Sequence, residues 1–480
     1  MKQGNKSIGH PVDIATGTVY SNYDDICIPG KVDLTWERRY STAILEQNNA
    51  HMGPGWANKY FSTLTRLEKE YQFLTPEGEI EIFSDPNNSV ENGHVIRNLE
   101  TFQELYKKDY RYIITRCDVD TGDILRYSFY EMDIGQTAKL KSIEDVTGYQ
   151  GLDLYYDKKH VKLEYIKQRL EKRSLRIEYT KKKQIQKIIF CSANDQEYVM
   201  AQFEYDNKKR LTAAYDAQGN VDRYEYDNAH RMTREIVKDG GVFFFKYDRQ
   251  GRCIKTSGLD RYDEKTFKYF DYGWTEVTDS LGEISRYQYL PSGQIIMEID
   301  PMGGVTKTEY DEYGRIIKEI EANGAETLYE FDNKGNISKY TDALSNSTLI
   351  SYNNFHQPLQ VVDSKNNLSK YIYNNNLLVN YIDPNEAIWS YEYNSLGLLI
   401  SITNPHKKMR YLNYSDLGVL RSSSDWIGNT AHYKWDDFGN LREQRNSNNE
   451  ITQIDYSILG QPLKIIYPDK SEITYKYDLN

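Results

Sequence analysis

From residue 201 onward an aromatic side chain returns at a nearly fixed interval: Tyr205, Tyr226, Tyr247, Tyr289, Tyr310, Phe331, Tyr352, Tyr373, Tyr393, Tyr414, Trp435, Tyr456 and Tyr477. Every step is 20 or 21 residues except the 42 from Tyr247 to Tyr289, which is two periods filled by a distorted unit around Tyr269 to Tyr272. Phase kept over such a length is the mark of a tandem repeat, in which one small unit is stacked on copies of itself.

The unit has a grammar. Two residues before the anchor stands another aromatic or apolar group (Phe203, Tyr224, Phe245, Tyr287, Tyr329, Tyr371, Tyr391, Tyr433), so the approach alternates with period two and reads as a strand with one covered face. Four residues after the anchor comes glycine, at Gly251, Gly293, Gly314, Gly335, Gly397, Gly418, Gly439 and Gly460, usually after Asp or Asn. Glycine supplies positive φ and Asp or Asn bonds the backbone two residues on, so this is a turn with a mechanism. An apolar residue then restarts a strand, as at Leu211, Met232, Ile295, Ile316 and Ile337, and a second polar turn follows near Asp216, Asp300, Asp342, Asp363 and Asp425. One period is therefore strand, turn, strand, turn, with about six residues per strand. No hairpin of that size is stable alone, so neighbouring units are expected to pair into one long antiparallel ribbon.

Composition says what such a ribbon encloses. The 480 residues include 43 tyrosines; with tyrosine set aside and glycine counted, the apolar share falls to about 36%, against roughly 45–50% for globular chains. Aliphatic filling for a thick core is short, and tyrosine covers sheet area while its hydroxyl reaches water or a partner. The fold class expected is all-β: tandem hairpin repeats in a long antiparallel ribbon, coiled because sheets twist, into an open hollow shell or spiral with tyrosine rows on its concave face and no plug. Residues 1–85 read as a separate β segment, 86–200 as degenerate β repeats with Tyr127, Tyr130, Tyr155, Tyr156, Tyr165 and Tyr179 in alternating contexts, and 201–480 as the regular array.

A formal charge of -11 argues against a general affinity for nucleic acid. No apolar run approaches the ~18–20 residues of a spanning helix, and the first ten residues have no h-region, so no ordinary signal peptide is present. Cys27, Cys117, Cys191 and Cys253 are too far apart for a metal knuckle or a compact disulfide framework and read as reduced thiols. The eight histidines are scattered. No nucleophile elbow, phosphate loop or dinucleotide fingerprint occurs, so no catalytic, cofactor or metal residue is assigned and no enzymatic activity is expected.

The units Tyr310-Asp-Glu-Tyr-Gly-Arg and Tyr247-Asp-Arg-Gln-Gly-Arg resemble the YD repeat of the Rhs (rearrangement hot spot) family, and the opening Gly9-His-Pro-Val-Asp-Ile-Ala-Thr-Gly17, Trp36-Glu-Arg-Arg-Tyr40 and Gly53-Pro-Gly-Trp56 resemble the segment that opens Rhs cores. The resemblance implies a ribbon wound into a hollow cocoon around a carboxy-terminal toxin, synthesised in the cytoplasm and exported by a specialised secretion system. It implies as partners a toxin polypeptide or the remainder of an Rhs shell. Full cores are longer and end in a self-cleaving Asp-Pro segment and toxin, so this chain is expected to be a truncated or orphan core, or one piece of a split system.

Four features invite sharper readings. Asp300-Pro301 and Asp383-Pro384 fit the family's cleavage chemistry but fall where the array places a turn. Asp118-Val-Asp120-Thr-Gly122-Asp123 fits a calcium loop except that Phe129 stands where the closing Glu belongs. Twelve Lys or Arg against three Glu from Lys158 to Lys187 form either a phosphate-binding patch or a solvated strand face. Trp389, Trp426 and Trp435 are the first candidates for stacking on sugars of a cell envelope, the alternative function; packing between strands is the plainer reading.

Overall fold

The computed structural model of the protein describes residues 6–47, 51–98, 100–117 and 124–477. The calcium-loop candidate at Asp118–Asp123 and the side chain of Cys117 lie outside the described residues. Among them there is no α-helix, only 3-10 turns at Thr42–Ile44, Lys59–Phe61 and Leu259–Arg261. The fold is the expected antiparallel ribbon: from Ile96–Asn98 to Glu472–Thr474 each strand pairs with the next in sequence. With the meander of Thr63–Arg66, Glu70–Leu74 and Ile80–Ser84 it makes one sheet of 39 strands. The start of the ribbon closes on itself, because Thr137–Asp145 also pairs with Thr63–Arg66 through Thr137↔Thr65 and Lys139↔Thr63.

The Tyr-Asp-x-x-Gly-Arg motif explains how units join. In the Tyr247 unit the Asp248 carboxylate accepts the backbone N–H groups of Gln250 (2.9 Å) and Arg252 (2.9 Å), which shapes the turn, and Gly251 takes φ 90°. The other carboxylate oxygen holds Arg252 Nε at 2.8 Å and aims the guanidinium over the ring of the next anchor, Tyr269, 4.5 Å from its centroid. Arg210 over Tyr226, Arg231 over Tyr247 and Arg315 over Phe331 repeat the contact. Where glycine is missing, Lys209, His230 and His356 take the left-handed conformation at the same position.

Several anchors, among them Tyr205, Tyr247, Tyr393 and Tyr477, also clamp the unit before them. The hydroxyls of Tyr269 and Tyr310 donate to the carbonyls of Cys253 (2.6 Å) and Ile295 (2.7 Å), and the Trp435 indole does the same to Leu420. The unit between Tyr247 and Tyr289 thus has a regular anchor, Tyr269, with Gly273 as its turn glycine at φ 72°. Tyr156 and Tyr179, upstream of residue 201, clamp Leu140 and Leu163 in the same way. Just before the anchor the register slips by one residue, as between Glu225 and Tyr226, Glu309 and Tyr310, or Glu392 and Tyr393. A β-bulge adds twist and bend, so a bulge repeated in the units of the array, that of Tyr269 excepted, turns an alternating strand pattern into a coil.

The coil passes over itself. Gln150 Nε2 donates to Leu396 O at 2.8 Å, Asn376 Nδ2 to Val146 O at 3.1 Å, and Asn194 Nδ2 to Asp437 Oδ1 at 3.1 Å. These partners are 246, 230 and 243 residues apart, so one winding of the spiral is completed and a second lies on its rim. The contact joins second-turn tips of the first winding to glycine-turn tips of the second. Phe102, Tyr149 and Leu170 lie where a Cβ on Gly335, Gly397 and Gly418 would fall, at 2.6, 2.8 and 2.2 Å. Phe438 stacks on Phe190 with centroids 4.8 Å apart.

Candidate functional site at the aromatic face of the ribbon

The anchors and the residues two before them share one face of the ribbon. In the units from Phe203 to Tyr287 that face is not bare: the amino-terminal segment, Lys6 to Phe61, lies on it. This corrects the expectation of an unplugged shell, and the reason is legible in the segment's chemistry. Strands Tyr20–Ile28, Leu34–Ser41 and Trp56–Ala57 form a small sheet of their own, and Trp36, Tyr40, Trp56 and Tyr60 are fully buried. The core that the array lacks is supplied by this lining.

Arg38 is the hub. Its guanidinium is fully buried and donates to Asp25 Oδ2 (2.5 Å) and Oδ1 (2.8 Å) within the segment. It also donates to Tyr224 Oη (2.8 Å) and Asp222 Oδ2 (3.0 Å) on the ribbon. It sits over the Tyr23 ring at 4.5 Å. Burial raises the Asp222 carboxyl, with Arg38 opposing that shift. Beside it the buried Glu235 accepts from the Tyr23 hydroxyl and pairs with His10 Nε2 at 2.7 Å. The His10 ring stacks on Phe243 at 3.7 Å. Lys6 pairs with Glu298, and Thr275 donates to Ile14 O at 2.9 Å.

The glycines of the opening motifs allow this approach. A Cβ on Gly53 would lie 2.5 Å from Lys209 O, and one on Gly17 2.6 Å from Arg252 Cβ. Backbone bonds follow, from Cys253 N to Gly17 O at 2.8 Å and from Ile185 N to His51 O at 3.0 Å. Tyr40 Oη accepts Met232 N at 2.8 Å, and Trp56 Nε1 donates to Tyr226 Oη at 3.1 Å.

Beyond Ile295 the same face is only half-buried. Tyr329 faces Tyr340 across the strand pair at 5.6 Å, and Tyr371 faces Tyr381 at 5.1 Å. Trp389 and Trp426 come together, 5.8 Å apart and edge to face, with Arg410 over Trp426 at 5.5 Å. Trp435 is elsewhere, spending its N–H in the clamp on Leu420.

The remaining candidates resolve into structure. Asp300 accepts Met302 N and Gly304 N, both at 2.8 Å, and Asp383 accepts Asn385 N and Ala387 N at 2.8 and 2.9 Å, so both Asp-Pro pairs are second turns. In the basic stretch Arg169 pairs with Asp153 and Glu144, Arg176 with Glu178 and Glu197, and Lys162 and Lys167 lie over tyrosine rings. Lys158, Lys159, Lys181, Lys182 and Lys183 stay exposed at turn tips. Cys27, Cys191 and Cys253 are free thiols. Among the described residues no helix is long and apolar enough to cross a membrane. The tip-to-glycine contacts between windings were invisible in the sequence, because Leu170 and Gly418 are related by no local spacing.

Family comparison agrees with this architecture. A family model described as a domain of unknown function, DUF6531, matches residues 9–83, the RHS Repeat model matches 205–242 and the Teneurin YD-shell model matches 326–480. No curated protein matches. Among solved structures, the Photorhabdus luminescens Tc holotoxin pore is 12% identical with a TM-score of 0.44, over 93% of this chain and 29% of that one. TcdB2-TccC3 without its hypervariable C-terminal region is 10% identical with a TM-score of 0.44, over 92% and 27%. The chain therefore spans less than a third of the length of those two structures.

Proposed function

Because this chain is an Rhs/YD-repeat protein, we propose that it is a non-enzymatic wall segment of the shell of an Rhs-type toxin system. The observation that carries this is the stacking of one winding on the next through partners 230 to 246 residues apart, which makes a wall rather than a solid body. A toxin polypeptide, or the remainder of an Rhs shell, is the partner this reading gives the segment. Synthesis in the cytoplasm and export by a specialised secretion machine belong to the same reading. Small-angle scattering tests it: a hollow spiral gives a radius of gyration well above the ~23 Å of a compact domain of this length, and a value near ~23 Å rejects it.

The Trp389–Trp426 pair supports a second reading, binding of cell-envelope carbohydrate, since two half-buried indoles beside Arg410 offer stacking and donor groups at one place. Quenching of tryptophan fluorescence by envelope polysaccharide, lost in Trp426→Ala, would favour it; no quenching at millimolar sugar would end it.

A further inference from the structure

We propose that the lysine-bearing turns after Tyr156, Tyr179 and Tyr205 form a docking edge for a lipid bilayer rich in anionic headgroups. The proposal goes beyond the wall reading: it concerns the outer edge of the wall and not what the wall encloses.

The basic stretch singled out in the sequence comes to one place in the fold. These turns are successive tips on one rim of the first winding, and they carry Lys158 and Lys159, then Lys181, Lys182 and Lys183, then Lys208 and Lys209, all exposed. Strands lie about 4.8 Å apart and each unit has two, so neighbouring tips are about 10 Å apart and the row spans about 20 Å. The ion pairs nearby belong to other cations, Arg176 with Glu178 and Glu197 and Arg210 with Asp206. Lys208 Nζ reaches the neutral Asn228 Oδ1 at 3.3 Å. The turn acids are spent inside their own turns, Asp157 accepting Val161 N at 2.6 Å and Asp206 holding Arg210. The row is therefore an uncompensated positive edge on a protein of formal charge -11.

This edge is chemically unlike the one seated in the seam. Four residues after the anchor the seated turns have glycine, at Gly335, Gly397 and Gly418, with a side chain of the other winding where a Cβ would fall. Here the same left-handed position is held by His160, Lys183 and Lys209, at φ 52°, 65° and 65°. Such turns have no notch for an apolar tip.

Charge complementarity and side-chain chemistry define the occupant. A discrete carboxylate or phosphate is gripped best by the planar fork of arginine, whereas lysine is a compact charge on a flexible stem. Lysines alone, spread along an edge with no pocket between them, suit the diffuse field of a charged surface, and several tips on one edge can meet a plane together. Val161, 48% exposed, stands in the first of these tips and offers the acyl boundary an apolar group at the level of the charges.

The test is flotation of the purified full chain with vesicles. Binding is expected to vesicles of phosphatidylcholine and phosphatidylglycerol in equal parts, to fall steeply as salt is added, and to be absent with phosphatidylcholine alone. Replacing Lys159, Lys181 and Lys182 together by Gln is expected to weaken binding about a hundredfold, about fivefold for each lysine, with the melting temperature unchanged. The same charge change at the exposed Lys365, Lys407 and Lys408, on the second winding, is expected to leave binding intact. Equal binding to both kinds of vesicle, or equal losses in the two variants, overturns the proposal. Capture of polyglutamate or duplex DNA while vesicles stay free overturns it too, and assigns the edge to an acidic macromolecule. None of these outcomes touches the wall reading, which the radius of gyration decides.

Discussion

The Tyr310 hydroxyl donates to the Ile295 carbonyl at 2.7 Å, and Ile295 is the residue paired with the previous anchor, Tyr289. A tyrosine placed this way, as Tyr247 and Tyr393 also are, ties its unit to the pairing site of the unit before. Tyr310→Phe keeps the ring and removes only this bond, so a loss of about 0.5–1.5 kcal/mol is expected in chemical denaturation. An unchanged midpoint would show that the hydroxyl does not hold the units together.

Arg38→Met should detach the lining. The substitution leaves Asp25 and Asp222 buried without their counter-charge, a loss of about 3–5 kcal/mol. Limited proteolysis should then cut within residues 6–61 before it cuts the ribbon, and Arg38→Lys should rescue only in part, since one ammonium cannot serve Asp25, Asp222 and Tyr224 together. Equal protection of wild type and variant would contradict the hub role.

Gly418→Ala and Gly428→Ala separate two costs. Both glycines have positive φ, 72° and 91°, a conformation that costs an alanine about 1–2 kcal/mol. Only Gly418 also has a neighbour in the way, Leu170 Cδ2 at 2.2 Å. Gly418→Ala should therefore be the more destabilising, and adding Leu170→Ala should recover the excess. A double-mutant cycle with no coupling between the two positions would mean that the windings do not touch there.

Stability should fall between pH 4.5 and 7 through Glu81. Burial pushes its carboxyl up from 4.5 to about 7, Glu77 adding to the shift and Arg116 opposing it. The folded state thus holds a proton that the unfolded chain has already released, and its advantage shrinks as pH rises through this window. Glu37 acts in the opposite sense: burial would raise it, but Lys59 and Arg39 outweigh burial and hold it at about 2. Its contribution is present above 4.5 and lost as pH falls toward 2. Glu81→Gln should flatten the upper slope in pH-dependent denaturation and leave the acid limb unchanged; an unaltered upper slope would sink the assignment.

The ribbon was legible because its determinants are local. Tyr247, Asp248, Gly251 and Arg252 lie within one turn, and their spacing states the turn, the strand face and the period. Tyr269 shows the limit: its clamp on Cys253 is regular, but it stands 22 residues after Tyr247 and 20 before Tyr289, and the 3-10 turn at Leu259–Arg261 replaces the ordinary second turn of its unit. The lining was legible as a motif and not as a place. Gly53-Pro-Gly-Trp56 marks a close approach, yet its partners Lys209 and Tyr226 are chosen by tertiary packing. Nothing local marks the hub role of Arg38 within Trp36-Glu-Arg-Arg-Tyr40, because burial of a charge is decided by Asp222 and Tyr224, far along the chain. The contacts between windings have no sequence period at all, since they depend on how many units complete one circuit.

That circuit makes the molecule behave like a gear with equal teeth. Insert one whole unit in the second winding and every glycine-side turn downstream advances by one tip, so that turn still meets tip; insert half a unit, one strand and one turn, and the strands downstream reverse, bringing second turns against the tips instead. Gene duplication can therefore lengthen such a protein in whole-unit steps without disturbing its bore, while small insertions are tolerated only where a tip faces open water, as the loop at Leu259–Arg261 does.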